Sequence, residues 1–271
     1  MSWLDAPASE TQITHGRRLW LYVFCALVMF FLVAPSLVVV PMSFSASTYL
    51  EFPPREWSLR WYESYFSSVA WTNATITSLK VAVLTMLVAT PLGVLASYGL
   101  HVSRFRFSNI IFVILLLPLM VPIIMIAVGV FFLYAKLGMV NTIVGLVMAH
   151  SMLAIPLVVI VVTAGLKSYD MNQELVARSL GASRARAFTT ITLPQIRFSV
   201  ITGALLAFLT SLDEVIVALF VSGGENATIT RRMFNALRDQ IDPTIASIST
   251  CLIVISAVLL VTAQIFGKER D

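Results

Sequence analysis

The chain has 271 residues, of which 58% are hydrophobic and only 12% are charged. Several apolar runs longer than about 18 residues predict a multi-span helical membrane protein and leave no room for a separate catalytic domain. The formal net charge of +4 does not indicate nucleic-acid binding, because the basic residues are spread over the ends of the apolar runs and do not form one patch.

In chain order, we predict an all-α membrane protein with six transmembrane spans between two short tails, residues 1–18 and 267–271. Arg17 and Arg18 before the first apolar run also resemble the start of a signal peptide. That run is about 23 residues, too long for the apolar part of such a peptide, so we predict a span that is retained. The predicted spans are residues 19–41, 73–100, 108–134, 142–166, 198–221 and 244–266.

The distribution of Lys and Arg predicts the orientation of these spans. With both termini on one side, eleven of the 18 basic residues fall on that side and six on the other, and Lys80 lies within the second span. Cytoplasmic loops carry the excess of positive charge. We therefore predict that both termini are cytoplasmic, and with them residues 167–197 between the fourth and fifth spans.

Residues 167–197 are a polar interruption between two apolar runs, and their apolar positions are spaced for helix. Gly181 suits the end of a first short helix, and Ser183 can cap a second one. Pro194 ends that second helix or opens the next span. We predict a helix–turn–helix elbow at one face of the membrane; an ordinary amphipathic loop is the alternative.

The elbow resembles the cytoplasmic signature of permease subunits of ATP-binding-cassette (ABC) importers, which reads E-A-A, three residues, G, nine residues, I-x-L-P. Matching positions in register are Ala177, Gly181, Ile191, Leu193 and Pro194.

This segment also departs from the signature. Leu175 and Val176 stand where the family has Glu and Ala, and Glu174 is displaced by one residue, about 100° around a helix. In the family the elbow docks in a cleft of the ATP-hydrolysing subunit. The resemblance implies this coupling role for Glu174, Leu175, Val176, Ala177, Arg178, Gly181, Ala182, Ile191, Leu193 and Pro194.

Three other segments resemble the spermidine/putrescine branch of the family. They are F-P-P-x-x-x-S-L-R-W-Y at residues 52–62, S-L-D-E-V at 211–215 and I-D-P-T-I-A-x-I-S-T at 241–250. Ile229 and Thr230 depart from the Leu-Pro that the family usually has. The loop 222–243 also contains a predicted short amphipathic helix with Met233, Leu237 and Ile241 on one side.

Asp213 and Glu214 place two carboxylates inside an apolar run. Ionisable groups at membrane depth are costly and usually face a cavity, a partner or a pathway. Asp213 is predicted about 12 Å below the outer end of its span, and Lys80 lies at a similar depth in the second span. Asp213 therefore either receives a cationic substrate or pairs with Lys80. The predicted substrate-pathway residues are Asp213, Glu214, Ser211 and Lys80.

The resemblance implies a type I ABC importer permease of the bacterial inner membrane. It implies a second homologous permease, a dimer of ATPase subunits and an external binding protein as partners, in addition to membrane lipid. The chain has no GxxxxGK[ST] loop, so ATP and Mg are expected on the partner, and this chain is not expected to be an enzyme.

The function implied is polyamine import by alternating access. Alternative substrates are opines, amino-acid-like cations and other small solutes. Two other classes of function remain at this point: an ion-coupled secondary transporter with Asp213 as the ion ligand, and a membrane anchor without transport. The elbow argues against the first, and the buried charges argue against the second.

Overall fold

The computed structural model describes residues 14–103, 105–239 and 242–267, with side chains as far as residue 262. The predicted tails lie largely outside these residues. The α-helices in chain order are α1 (Leu19–Met42), α2 (Arg60–Ser67), α3 (Val69–Val102), α4 (Ser108–Met120), α5 (Ile123–Leu137), α6 (Ile143–Ser168), α7 (Asn172–Ser179), α8 (Arg184–Ala187), α9 (Leu193–Gln195), α10 (Arg197–Asp213), α11 (Ile216–Val221), α12 (Ile229–Asp239) and α13 (Thr244–Gly267).

Four helical segments are each long and apolar enough to cross a membrane: Gly16–Met42, Val69–Val102, Ile143–Ser168 and Thr244–Thr262. Helices suit this role because they satisfy their backbone polar groups within the segment. Two bent helix pairs raise the number of spans in the described residues to 6 if each pair is one broken span. The number of crossings therefore stays a prediction.

The first bent pair is α4 with α5, whose axes differ by 97°. Pro122 has no N–H with which to continue α4, and it restricts Val121 to the extended conformation, with ψ 134°. The structure thus divides the predicted third span, residues 108–134, into two short helices. The second pair, Arg184–Gln195 with Arg197–Asp213, is bent by 80°.

Residues 14–64 with 242–253 form one compact unit. The indole Nε1 of Trp61 donates to the backbone oxygen of Ser47 over 3.1 Å, and the Ser247 hydroxyl donates to the backbone oxygen of Trp61 over 3.2 Å. The aromatic segment after α1 is therefore fastened to other parts of this unit. No residue of α1 is buried, and most of its large apolar side chains are exposed.

The second unit contains the described residues of 65–239 with 254–267, and α3, α6 and α10 pack against one another in it. Small residues let their backbones approach closely. A Cβ atom built on Gly93 of α3 would lie 2.6 Å from Cγ1 of Val158, and one on Gly203 of α10 would lie 3.2 Å from the same atom. Val158 of α6 thus contacts the backbones of both neighbouring helices.

The predicted amphipathic helix in the loop 222–243 is confirmed as α12. Its polar face carries Arg238, and Phe234 and Leu237 are exposed apolar side chains. Ile241, which was predicted to extend its apolar side, lies outside the described residues.

Candidate functional site

Residues 167–197, for which the elbow is predicted, contain α7, α8, a π-helical turn and α9. α7 ends at Ser179, and Gly181 follows with φ 95°, a conformation that glycine adopts without the steric cost of a Cβ atom. The Ser183 hydroxyl accepts a hydrogen bond from the backbone N–H of Arg186 over 3.3 Å and so caps α8. Both local predictions, the glycine turn and the serine cap, are confirmed.

The second half of the elbow is a π-helical turn, Phe188–Thr192, followed by α9. Pro194 lies in the first turn of α9, where a missing N–H costs little. Ile191 and Leu193 are half-buried, and Leu193 packs against the core between α3 and α6. Leu193 therefore fastens the elbow to the helical bundle.

Three large aliphatic side chains of the elbow are exposed: Leu175 (51%), Val176 (59%) and Leu180 (84%). We call these three residues the apolar tip. Val176 and Leu180 are four residues apart and so lie on the same side of the chain. Arg178 beside them is exposed, and Ala177 and Ala182 are half-buried. An exposed apolar patch with a polar border is typical of a surface that another protein covers.

Glu174 points in the opposite direction. It is only 1% exposed. Its Oε1 accepts a hydrogen bond from the Tyr98 hydroxyl over 2.6 Å, and its Oε2 accepts one from the Thr192 hydroxyl over 2.5 Å. The resemblance implied a coupling role for Glu174, which stays a prediction; within this chain both carboxylate oxygens are engaged in internal hydrogen bonds.

The predicted fifth span is interrupted at the two carboxylates. α10 ends at Asp213, and α11 begins at Ile216. Glu214 is buried, and its Oε1 accepts a hydrogen bond from the backbone N–H of Val217 over 2.8 Å, so it caps α11. The side chain of Asp213 is exposed. The structure therefore assigns Glu214 to the start of a helix and leaves Asp213 as the accessible carboxylate.

Ser211 belongs to a buried polar network that joins three helices. Its Oγ lies 2.8 Å from Nδ1 of His150 on α6 and donates to Oγ1 of Thr85 on α3 over 3.3 Å. Ser211 lies two residues, about half a turn, before Asp213 on α10. The network links the end of α10 to the bundle, so Ser211 holds the helix that carries the accessible carboxylate.

Lys80 is exposed on α3. Within the described part of the chain, Lys80 and Asp213 form no ion pair. The described residues also contain no group of three or more His, Cys, Asp or Glu side chains placed to hold a metal ion. Asp213 is thus not neutralised by the internal partner that the sequence suggested.

Sequence reasoning missed Tyr98, Thr192 and Thr85. Tyr98 lies near the end of a span, where an aromatic residue is ordinarily explained by the membrane interface. Thr192 occupies the unspecified position of I-x-L-P. Their roles depend on contacts between residues far apart in the sequence, and no local pattern carries that information.

Long apolar helices packed in a bundle, with two bent helix pairs, define a helical membrane protein of several spans. Residues 89–269 match the family described as binding-protein-dependent transport system inner membrane component. The chain belongs to this family, and it is a multi-pass membrane permease subunit of an ABC importer.

Two relatives are similar over most of their length. The spermidine/putrescine transport system permease protein PotC of Haemophilus influenzae is 29% identical over 92% of this chain and 96% of its own. The putrescine transport system permease protein PotI of Escherichia coli is 32% identical over 88% of this chain and 86% of its own.

Solved structures agree with the fold. The crystal structure of a bacterial ABC transporter involved in the import of the acidic polysaccharide alginate has a TM-score of 0.75 at 14% identity, over 95% of this chain and 100% of that chain. An amino acid ABC transporter has a TM-score of 0.55 at 19% identity, over 75% of this chain and 97% of that chain. The predicted fold class is confirmed.

Proposed function

We propose that this permease moves a polyamine, or a related small cationic solute, from an external binding protein to the cytoplasm. The observation that carries the proposal is Asp213, an accessible carboxylate at a helix break within a membrane-spanning segment, with no ion pair to a basic side chain in the described residues. An ammonium group would supply the missing countercharge. The two relatives belong to spermidine/putrescine and putrescine transport systems, which points to the same substrates.

The helix break makes this position suited to transient binding. A charged group at membrane depth is tolerated when it faces a cavity or a charged ligand. The fixed geometry of Glu214, held by the N–H of Val217, keeps the adjacent backbone in place while the side chain of Asp213 stays free. Asp213 is therefore the residue in this chain to which we assign substrate contact.

The partner ATPase is proposed to act at the N-terminal end of α10, where the elbow lies. The apolar tip is assigned to a cleft of a partner ATPase, which binds ATP and Mg, because this chain has no loop for cradling phosphates. A second homologous permease completes the pathway. Both termini and the elbow are placed in the cytoplasm, in agreement with the excess of Lys and Arg on that side.

Transport then proceeds by alternating access. ATP-driven closure of the ATPase dimer displaces the elbow, and the spans open the pathway toward the binding protein. The cationic solute enters and meets Asp213. Hydrolysis returns the elbow, the pathway opens inward, and the solute leaves Asp213 for the cytoplasm.

The test is ATP hydrolysis by the complete complex reconstituted in lipid, with the binding protein loaded in turn with spermidine, putrescine and a neutral solute. We expect stimulation by the polyamines and its loss in Asp213→Asn. Stimulation by the neutral solute alone would refute the cationic substrate. No stimulation by any loaded binding protein would refute the proposed coupling.

A further inference from the structure

The attachment of α7 to the rest of the chain rests on one polar residue. Glu174 is the only residue of this eight-residue helix that is buried. The apolar residues that follow it, Leu175 and Val176, are exposed. Apart from Met171, which precedes α7 and packs against the core, and the half-buried Ala177, apolar packing contributes little to holding α7, and the hydrogen bonds of Glu174 are its buried contacts.

The two oxygens of Glu174 reach two different elements. Oε1 accepts from Tyr98 of α3, and Oε2 accepts from Thr192 in the π-helical turn before α9. The Tyr98 ring also packs against Phe188 in the same turn, with a centroid distance of 4.4 Å. Tyr98 thus contacts both halves of the elbow from the end of a long span.

The chemistry of this contact makes it specific. No Lys, Arg or His in the described ranges forms an ion pair with Glu174, so its direct side-chain partners there are the two hydroxyl donors. A buried carboxylate that loses one donor leaves an unsatisfied charge, and the local structure must open to let water reach it. We therefore expect loss of either hydroxyl donor to disrupt the whole contact between Glu174 and its two partners.

We propose that Glu174 is a tether that makes the elbow move as one body with α3 and with the turn leading to α10. This proposal rests on the proposed function, because it assigns the route by which movement of the elbow reaches the spans. Glu174 is a positioning residue in this scheme. It contacts neither ATP nor the transported solute.

The experiment compares hydroxyl deletions with and without a role in the tether. Tyr98→Phe and Thr192→Val each remove one donor to Glu174. Tyr169→Phe is the matched control for the first, because the Tyr169 hydroxyl is buried and forms no hydrogen bond within the described residues. Thr189→Val is the control for the second, because the exposed Thr189 hydroxyl bonds only to backbone oxygens of the elbow itself.

Two quantities are measured on the complete reconstituted complex. The first is the number of solute molecules moved per ATP hydrolysed, with whichever solute the binding protein delivers. The second is amide hydrogen exchange in α7. We expect Tyr98→Phe and Thr192→Val to lower the transport ratio about tenfold and to speed exchange in α7, because each removes a charge-assisted hydrogen bond. ATP hydrolysis continues in both.

The controls are expected to keep the wild-type ratio and exchange, and Thr192→Ser is expected to restore both, because serine retains the hydroxyl. The proposal is overturned if Tyr98→Phe and Thr192→Val keep the wild-type transport ratio. It is equally overturned if they abolish ATPase binding while exchange in α7 stays unchanged, because Glu174 would then act in docking.

The failure of the proposed function is a separate result. If the wild-type complex hydrolyses ATP without moving any solute, the proposed function fails. The exchange comparison between the donor deletions and their controls still decides whether Glu174 holds α7.

Discussion

Replacing Leu180 by serine is expected to weaken binding of the partner ATPase by about 30-fold. Leu180 is 84% exposed in this chain, so a cleft that receives the apolar tip would remove most of its side chain from water. Full burial of a leucine contributes about 1.5–3 kcal/mol. Because the cleft would bury most of this side chain, we expect serine to lose about 2 kcal/mol of binding free energy, which corresponds to an increase of about 30-fold in Kd.

The same exposure predicts that Leu180→Ser leaves the permease itself intact, because exposed substitutions usually change stability by no more than about 0.5 kcal/mol. The assay is titration of the ATPase onto the permease pair in lipid nanodiscs. Leu180→Met is the matched control and should bind as the wild type does, since it keeps an apolar side chain of similar size. A folded Leu180→Ser complex with an unchanged Kd would show that the ATPase does not cover the apolar tip.

Three further predictions concern the bundle and the carboxylates. Gly93→Ala should destabilise the complex by about 1–3 kcal/mol in thermal unfolding, because the added methyl group meets an α6 side chain, whereas Gly99→Ala, with nothing within 4 Å of its Cβ position, should not. Lys80→Met should transport polyamines at the wild-type rate, whereas Asp213→Asn should not. Equal losses of transport in the two variants would support a structural ion pair between Lys80 and Asp213. Glu214→Ala should lower thermal stability by about 1 kcal/mol through loss of the α11 cap, without changing which solutes stimulate hydrolysis; a changed solute preference would place it in the pathway.

The elbow was predictable because its determinants are local. Gly181 and Ser183 act on their immediate neighbours, and the turn and the cap follow from residue type. Glu174 precedes the family position, now Leu175, by one residue. Neighbouring residues of a helix differ by about 100°, so the sequence already implied that Glu174 and Leu175 lie on different sides of α7. What Glu174 contacts was not predictable, because Tyr98 is 76 residues away in the sequence.

Of the two breaks in the predicted spans, one has a local cause that the sequence shows and the other does not. Pro122 gives a visible reason for the bend between α4 and α5. The break after Asp213 has neither proline nor glycine at it. In the sequence, Glu214 looks like a second buried charge, and nothing there identifies it as a helix cap. Sequence alone could therefore place two carboxylates at membrane depth but could not divide their roles.

The glycine contacts of Val158 have a consequence for how the three central helices can move. At Gly93 of α3 and Gly203 of α10, the Val158 side chain meets backbone that carries no Cβ atom. Helices that meet through such surfaces can slide lengthwise by small steps without any rotamer having to change. We expect any shear between α6 and its neighbours to pass through this valine, because it contacts the backbones of both helices.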